Sequence, residues 1–227
     1  MELDDALAAL RSAAEPGRAE SSGAYHKIPR VYLGVPNPAI NAMTTEWRRA
    51  MNVSDRVALA SALWGTDIFE ARLAASKLLT QARIRPDEAV WSLIASWVPQ
   101  FDSWAIADHA ASAGGRRLVA QPDRVDEVAL WTRSDHMWSR RAALVMTLPW
   151  TKQNFPTEQD LAIRSRVLGW AARYVDDRDW FIQKAVAWWL RDLSRHDAQA
   201  VVQFLADHGS RMKAFARKEA GKYLTTR

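Results

Sequence analysis

Apolar residues along this 227-residue chain recur at intervals of three and four, as in LAASKLL (73–79), AVWSLIASWV (89–98) and AALVMTL (142–148). Alternating apolar–polar runs are almost absent. The three-and-four period gathers the apolar positions on one helix face, so the chain is predicted to be all-α. Helix punctuation agrees. Asn37-Pro38 reads as an N-cap followed by proline at the first helical position, and Pro86-Asp87-Glu88 as a helix start with acids in its first turn. Gly114-Gly115 and Gly209 read as helix ends. The pattern gives eleven or twelve helices joined by short loops. Residues 15–38, rich in Pro, Gly and Ser, read as an irregular surface segment, a loop or a short helix.

A longer repeat lies over this pattern. An aromatic residue opens a helix, followed by a basic or small residue three positions on and an alanine-rich face. The instances are FEARLAA (69–75), WAIADHAA (104–111), WSRRAAL (138–144), FIQKAVA (181–187) and FARKEA (215–220). The leading aromatics Phe69, Trp104, Trp138, Phe181 and Phe215 stand 35, 34, 43 and 34 residues apart. Such a period in a helical chain predicts an α-solenoid, a curved stack of helix pairs sharing one continuous core. Equivalent helices would line its concave side. The third or fourth position after each aromatic would then share one surface: Arg72, Ala107/Asp108, Arg141, Lys184 and Lys218. Four of these are cationic, so the concave face is expected to be basic, with Asp108 its acidic exception.

Composition narrows the function. Hydrophobic residues make up 48% and charged residues 25% of the chain, ordinary for a globular protein. There is no cysteine, which excludes disulfides, zinc–thiolate sites and thiol catalysis. The acidic start MELDDALAAL lacks the form of a signal peptide, and the longest apolar run, AVAWWL (185–190), is far short of a membrane span. A cytoplasmic protein is expected, with no membrane partner. Charge is uneven: residues 1–113 carry a net −2 and residues 114–227 a net +7. A basic half suggests a polyanion, nucleic acid first.

Few residues could carry chemistry. The five histidines are scattered and none has ligand spacing, so no metal site is expected. No glycine-rich phosphate loop and no Ser/His/Asp arrangement is recognisable. Trp104 and Asp108 fall four apart, on one helix face. In DWFIQKAVAWWLRDLSR (179–195), Lys184, Trp188 and Arg191 share a face, cations for phosphates around an indole for sugar or base. Adjacent Trp188 and Trp189 cannot point the same way, so one should lie outside the deep core. Arg140 and Arg141 are neighbours, and the repeat turns Arg141 to the shared surface, to touch phosphate or orient Asp108. An inter-repeat ion pair is the plainer alternative for Arg141 and for Asp108, and simple exposure is a further one for Asp108. One carboxylate suffices for one kind of hydrolysis. Breaking an N-glycosidic bond develops an oxocarbenium-like sugar, which a carboxylate stabilises or supplies with water. An N3- or N7-alkylated purine is already cationic and leaves neutral, so no general acid is needed. Tryptophan faces attract such a cation.

At these residues the chain resembles the AlkD-like alkylpurine DNA glycosylases, built of HEAT-like repeats. The resemblance runs through YHKIPRVYLGV (25–35), SALWGTDIFEARLAASKLL (61–79), DSWAIADHAA (102–111), MWSRRAA (137–143), FIQKAVAWWLRD (181–192) and RKEAGKYL (217–224). It implies a single domain over 1–227, a catalytic Asp108, lesion-facing Trp104 and Trp188, a groove Arg141 and a groove Tyr25. Lys27, Lys184 and Arg191 take basic positions toward the backbone, and Arg72, Arg140 and Lys218 are added as DNA contacts. PWTKQNFP (149–156) departs from the family, which tends to carry lysines there, and either shifts phosphate contacts to Lys152 or weakens them. The implied partner is duplex DNA containing alkylated purines, acted on by a monomer without cofactor or lyase chemistry, bacterial and associated with the nucleoid when on DNA. Two other readings compete: a non-catalytic repeat protein that binds damaged or branched DNA, and a protein-binding scaffold, which would carry an acidic or mixed concave face.

Overall fold

The computed structural model describes residues 1–224, and among them the chain folds into thirteen α-helices with no strand. The helices are α1 (Leu3–Ser12), α2 (Arg18–His26), α3 (Asn37–Ala50), α4 (Val53–Gly65), α5 (Phe69–Leu79), α6 (Glu88–Trp97), α7 (Trp104–Ala120), α8 (Val125–Trp131), α9 (Met137–Met146), α10 (Glu158–Arg173), α11 (Trp180–Leu193), α12 (Ala198–His208) and α13 (Ala214–Ala220). The all-α expectation holds, with one or two more helices than the periodicity gave. The aromatic repeat falls on every second helix: Phe69 and Trp104 open α5 and α7, and Trp138, Phe181 and Phe215 are the second residues of α9, α11 and α13.

Residues 15–38 contain the short helix α2, none of whose residues is buried, one of the two forms read from the sequence. Two boundaries differ from the sequence reading. Asn37 is already helical, with Pro36 at the cap and Pro38 one turn position later than expected. Gly114-Gly115 does not end a helix, since α7 continues to Ala120. The stop comes from Pro122: Gln121 before it leaves helical geometry (φ −145°, ψ 84°), as a residue preceding proline tends to do. Gly209 does cap α12.

The chain forms two compact units, Met1–Arg117 and Leu118–Arg227. In the first, α5 is the central element, packed on α3, α4 and α1. All of its residues except Lys77 are buried, including the polar Glu70, Arg72 and Ser76. Trp64 of α4 and Trp97 of α6 stack face to face at 4.2 Å, and the Trp64 Nε1 donates to Gln100 at 2.9 Å. Arg117 is fully buried, its guanidinium donating to Asp87 (2.9 Å) and to the carbonyls of Gln81, Ala82 and Ile84. In the second unit α11 holds the centre, against α9, α12 and α13. Trp189 is fully buried while its neighbour Trp188 is half-buried, as their adjacency requires.

Residues 27–36 form no regular element, yet they are tightly placed. A single parallel bridge joins Val31 to Ile68. The buried Glu70 carboxylate accepts three successive backbone N–H groups, from Leu33 (2.8 Å), Gly34 (2.8 Å) and Val35 (3.3 Å). Gly34 sits at φ +81°, where a side chain would also place its Cβ 2.7 Å from the Ala19 nitrogen.

Candidate functional site

In the first unit, α2 and α7 bring two exposed aromatic rings together. Tyr25 is 69% and Trp104 37% exposed, and their rings meet edge to face at 6.2 Å. Asp108, half-buried, stands one helical turn beyond Trp104 on α7. Lys27 is exposed, two residues after Tyr25, in the left-handed region at φ 57°.

His26 fills the floor beneath these rings. It lies 5.0 Å from the Tyr25 ring, 5.6 Å from Trp104, 4.5 Å from Phe69 and 6.1 Å from Tyr32, parallel to the last. Its Nδ1 is buried with no hydrogen-bond partner. Burial pushes its pKa below the usual histidine value, against an opposing pull from Glu70, which favours a neutral imidazole in the aromatic cluster. His109, the residue after Asp108, turns away and hydrogen-bonds the Ala105 carbonyl through Nδ1 at 2.7 Å. Burial lowers its pKa too, with the nearby Lys77 acting in the same direction.

An ion-pair frame fixes the approach of α7. The Arg30 guanidinium, almost fully buried, grips both oxygens of Asp102 (2.6 and 3.2 Å) and also reaches Asp67 at 2.8 Å. Asp102 lies two residues before Trp104, so this clamp sets where α7 begins. The clamp, Glu70 and His26 carry no periodic signal and escape sequence reasoning. The hydrogen-bond partners of Arg30 and Glu70 stand 35 or more residues away, and only Gly34 hints at the special backbone they serve.

Arg72 belongs to this frame and not to an exposed basic surface. It is 8% exposed, pairs with Asp67 at 2.9 Å, and lies over the Trp64 ring at 4.7 Å. Its Nε donates to the Trp64 carbonyl in the last turn of α4, where a cation is favoured by the helix dipole. The position three after the aromatic points into the packing here, which corrects its assignment as a DNA contact.

In the second unit, α9 contributes two arginines engaged internally. Arg141 is 3% exposed, and its Nη1 donates to the Phe181 carbonyl at 2.9 Å. Arg140 holds the α8–α9 turn, donating to the carbonyls of Ser134 and Asp135 (3.0 Å each) and to Asp177 at 3.1 Å. Arg141 is therefore not the surface cation the repeat implied, and Arg140, given as a DNA contact, is engaged within the turn.

Trp188 faces outward from α11, its Nε1 donating to Asp192 at 3.1 Å. Cations surround it. Arg191 bonds Asp192 (3.0 Å) and Glu219, Lys184 reaches Glu219 at 3.8 Å, and the exposed Lys152 reaches Asp192 at 3.9 Å. Lys218 on α13 is exposed. The structure thus ties Arg191 and Lys152 to the carboxylate that bonds this indole, while Lys184 pairs with Glu219 and lies 5.9 Å from the Trp180 ring. It adds two carboxylates, Asp192 and Glu219, that sequence reasoning passed over. They order the cations and lower the local charge, so the face is mixed with a basic excess. Among the described residues no cluster of three potential metal ligands occurs, and no helix is long and apolar enough to cross a membrane.

Comparison with known proteins follows the same lines. A family profile described as DNA alkylation repair enzyme matches residues 6–224. A solved structure described as a predicted DNA alkylation repair enzyme from Enterococcus faecalis superposes with a TM-score of 0.78 at 23% identity, over 94% of this chain and 98% of that one. AlkD2 from Streptococcus mutans gives 0.65 at 17% identity, over 99% and 100%. A further Streptococcus mutans UA159 protein, smu.31, gives 0.61 at 18%, over 82% and 92%. At these identities the likeness is one of fold. Among curated proteins no sequence match was found.

Proposed function

The chain belongs to the DNA alkylation repair enzyme family, and from that premise we propose that it is a monofunctional DNA glycosylase that hydrolyses the N-glycosidic bond of cationic N3- and N7-alkylpurines in duplex DNA. The observation that carries this reading is the exposed Tyr25–Trp104 pair with Asp108 one turn along the same helix. The ring faces supply electron-rich surface for a cationic nucleotide. The carboxylate is the group that opposes a developing sugar cation.

The reaction balances with these residues alone. The C1′–N bond breaks and its electron pair leaves with the base, which was cationic and departs neutral. Asp108 stabilises the oxocarbenium-like sugar and orients water toward C1′. The water oxygen bonds C1′, its proton passes to the carboxylate or to solvent, and an abasic site remains. A neutral His26 suits this site, because a second cation beneath Trp104 would repel the substrate. Trp188 with Lys152, Lys184, Arg191 and Lys218 is assigned to holding the duplex, cations on phosphates and the indole on sugar. Arg141, buried and bonded to Phe181, is assigned a positioning role.

The test is excision from a duplex carrying a single N7-methylguanine, comparing wild type with Asp108→Asn. Base release by wild type, reduced tenfold or more in the variant at similar DNA affinity, is the expected outcome. Release no faster than the spontaneous rate, with binding intact, would overturn the enzyme and leave a DNA-binding repeat protein.

A further inference from the structure

Phe155 is 95% exposed, the largest exposure of any large apolar side chain among the described residues. Single exposed apolar residues are common on protein surfaces. This one differs in how its loop is held. Residues 153–157, between the 3₁₀ turn Leu148–Lys152 and α10, are tied at Gln153, Asn154 and Thr157, on both sides of it. The Gln153 carbonyl accepts from Arg164 at 2.7 Å, and its side-chain amide donates to Asp160 at 2.9 Å. Asn154 Oδ1 meets His196 Nδ1 at 2.7 Å. Pro156 follows, and Thr157 forms a reciprocal capping box with Asp160. A slack loop would let the ring fold back onto the protein. This loop is anchored on both sides of Phe155, and the ring stands in water.

The surroundings of the loop are cationic and aromatic. Through the Asn154–His196 bond it adjoins the end of α11, where the Arg195 guanidinium lies over the Tyr223 ring at 3.8 Å and Lys222 sits 5.5 Å from the same ring. Lys152, three residues before Phe155, reaches the Asp192 that bonds Trp188. The nearby acids are largely engaged within the protein. Asp192 holds Trp188 and Arg191, Asp160 holds Trp150, Gln153 and Thr157, and Asp197 caps α12. Glu158, in the first turn of α10, is the exposed acid beside the loop.

We propose that the 153–157 loop is a DNA-engaging element whose Phe155 ring packs into the duplex, against exposed sugar or an opened base step, while Lys152, Arg195 and Lys222 hold the flanking phosphates. An apolar ring held rigidly among cations fits a polyanion with apolar faces, and nucleic acid combines the two. This rests on the DNA reading above but not on its chemistry.

The experiment measures affinity by fluorescence anisotropy for a labelled duplex, with and without one N7-methylguanine, across a salt series. Wild type is compared with Phe155→Ser, Phe155→Trp and Arg195→Gln. Phe155→Ser is expected to weaken binding roughly tenfold with an unchanged salt slope, because no phosphate contact is lost. Phe155→Trp should stay within about threefold of wild type. Arg195→Gln should reduce the salt slope by about one. Thermal stability should be unchanged in Phe155→Ser, since the ring makes no core contact. Wild-type binding that Phe155→Ser leaves intact would overturn the proposal. So would a loss of self-association in sedimentation without a change in DNA affinity, which would make Phe155 a contact between copies. Wild type that binds no duplex would overturn this proposal and the function together. Binding without excision would remove the glycosylase alone.

Discussion

Replacing Glu70 by alanine should unfasten residues 27–36 from α5. The carboxylate accepts three N–H groups, and those of Gly34 and Val35 are buried. A hydrogen bond to an ionised group contributes about 1.5–3 kcal/mol, and a buried donor left bare costs about 1–3 kcal/mol. The Leu33 donor is only part-buried and can turn to water, and the Val35 bond is long at 3.3 Å. The loss is then about 3–5 kcal/mol, a large share of the 5–15 kcal/mol that stabilises a typical domain. Glu70→Gln is the sharper probe. One oxygen, Oε1, serves both Gly34 and Val35. An amide oxygen placed there keeps those two bonds and turns an NH₂ toward Leu33, so the loss should be only about 1–2 kcal/mol. Hydrogen exchange of the amides of residues 33–35 reads this locally, with denaturant unfolding as the global check. Protection of the three amides should fall steeply in Glu70→Ala and modestly in Glu70→Gln. Equal protection in all three proteins would refute the reasoning.

Two further outcomes follow from the same region. Gly34→Ala should destabilise by more than the roughly 1–2 kcal/mol of a left-handed alanine, because its Cβ would also lie 2.7 Å from the Ala19 nitrogen; a denaturation midpoint equal to wild type would contradict it. Stability should also fall on mild acidification. His26 and His109 both have pKa values held below the ordinary 6.5 by burial, so below that pH the unfolded chain binds protons the folded chain refuses. The denaturation midpoint should therefore be flat above about pH 7 and decline as the pH drops below about 6.5. Replacing both histidines by non-titrating residues should flatten that decline, and a midpoint that rises with acid would show the sign to be wrong.

Local signals carried the architecture into the sequence. The aromatic at the first or second position of α5, α7, α9, α11 and α13 is visible because each unit repeats the same packing problem with the same residue types. Trp104 and Asp108 were legible together because they share one helix, and so were Lys184, Trp188 and Arg191. What the sequence hid is what depends on distant partners. Arg72 reads as a surface cation until α4 ends against it, and Arg141 until the Phe181 carbonyl reaches it. Asp192 and Glu219 look like ordinary surface acids, and only the structure places them among the cations near Trp188. Gly114-Gly115 misled because glycine only permits a helix to end, whereas Pro122 forces it.

The grip of Glu70 on residues 33–35 has a consequence for how the protein is made. The three amides precede their acceptor by 35 to 37 residues, and Arg30 precedes Asp102 by 72. At ribosomal speeds of about 5–20 residues per second, Glu70 is added about 2 to 7 s after the segment it secures. The clamp on Asp102 closes later still. The N-terminal face that carries Tyr25 therefore waits, solvated and without its anchor, until α5 has emerged, and a nascent chain arrested before that point should expose residues 27–36 to protease.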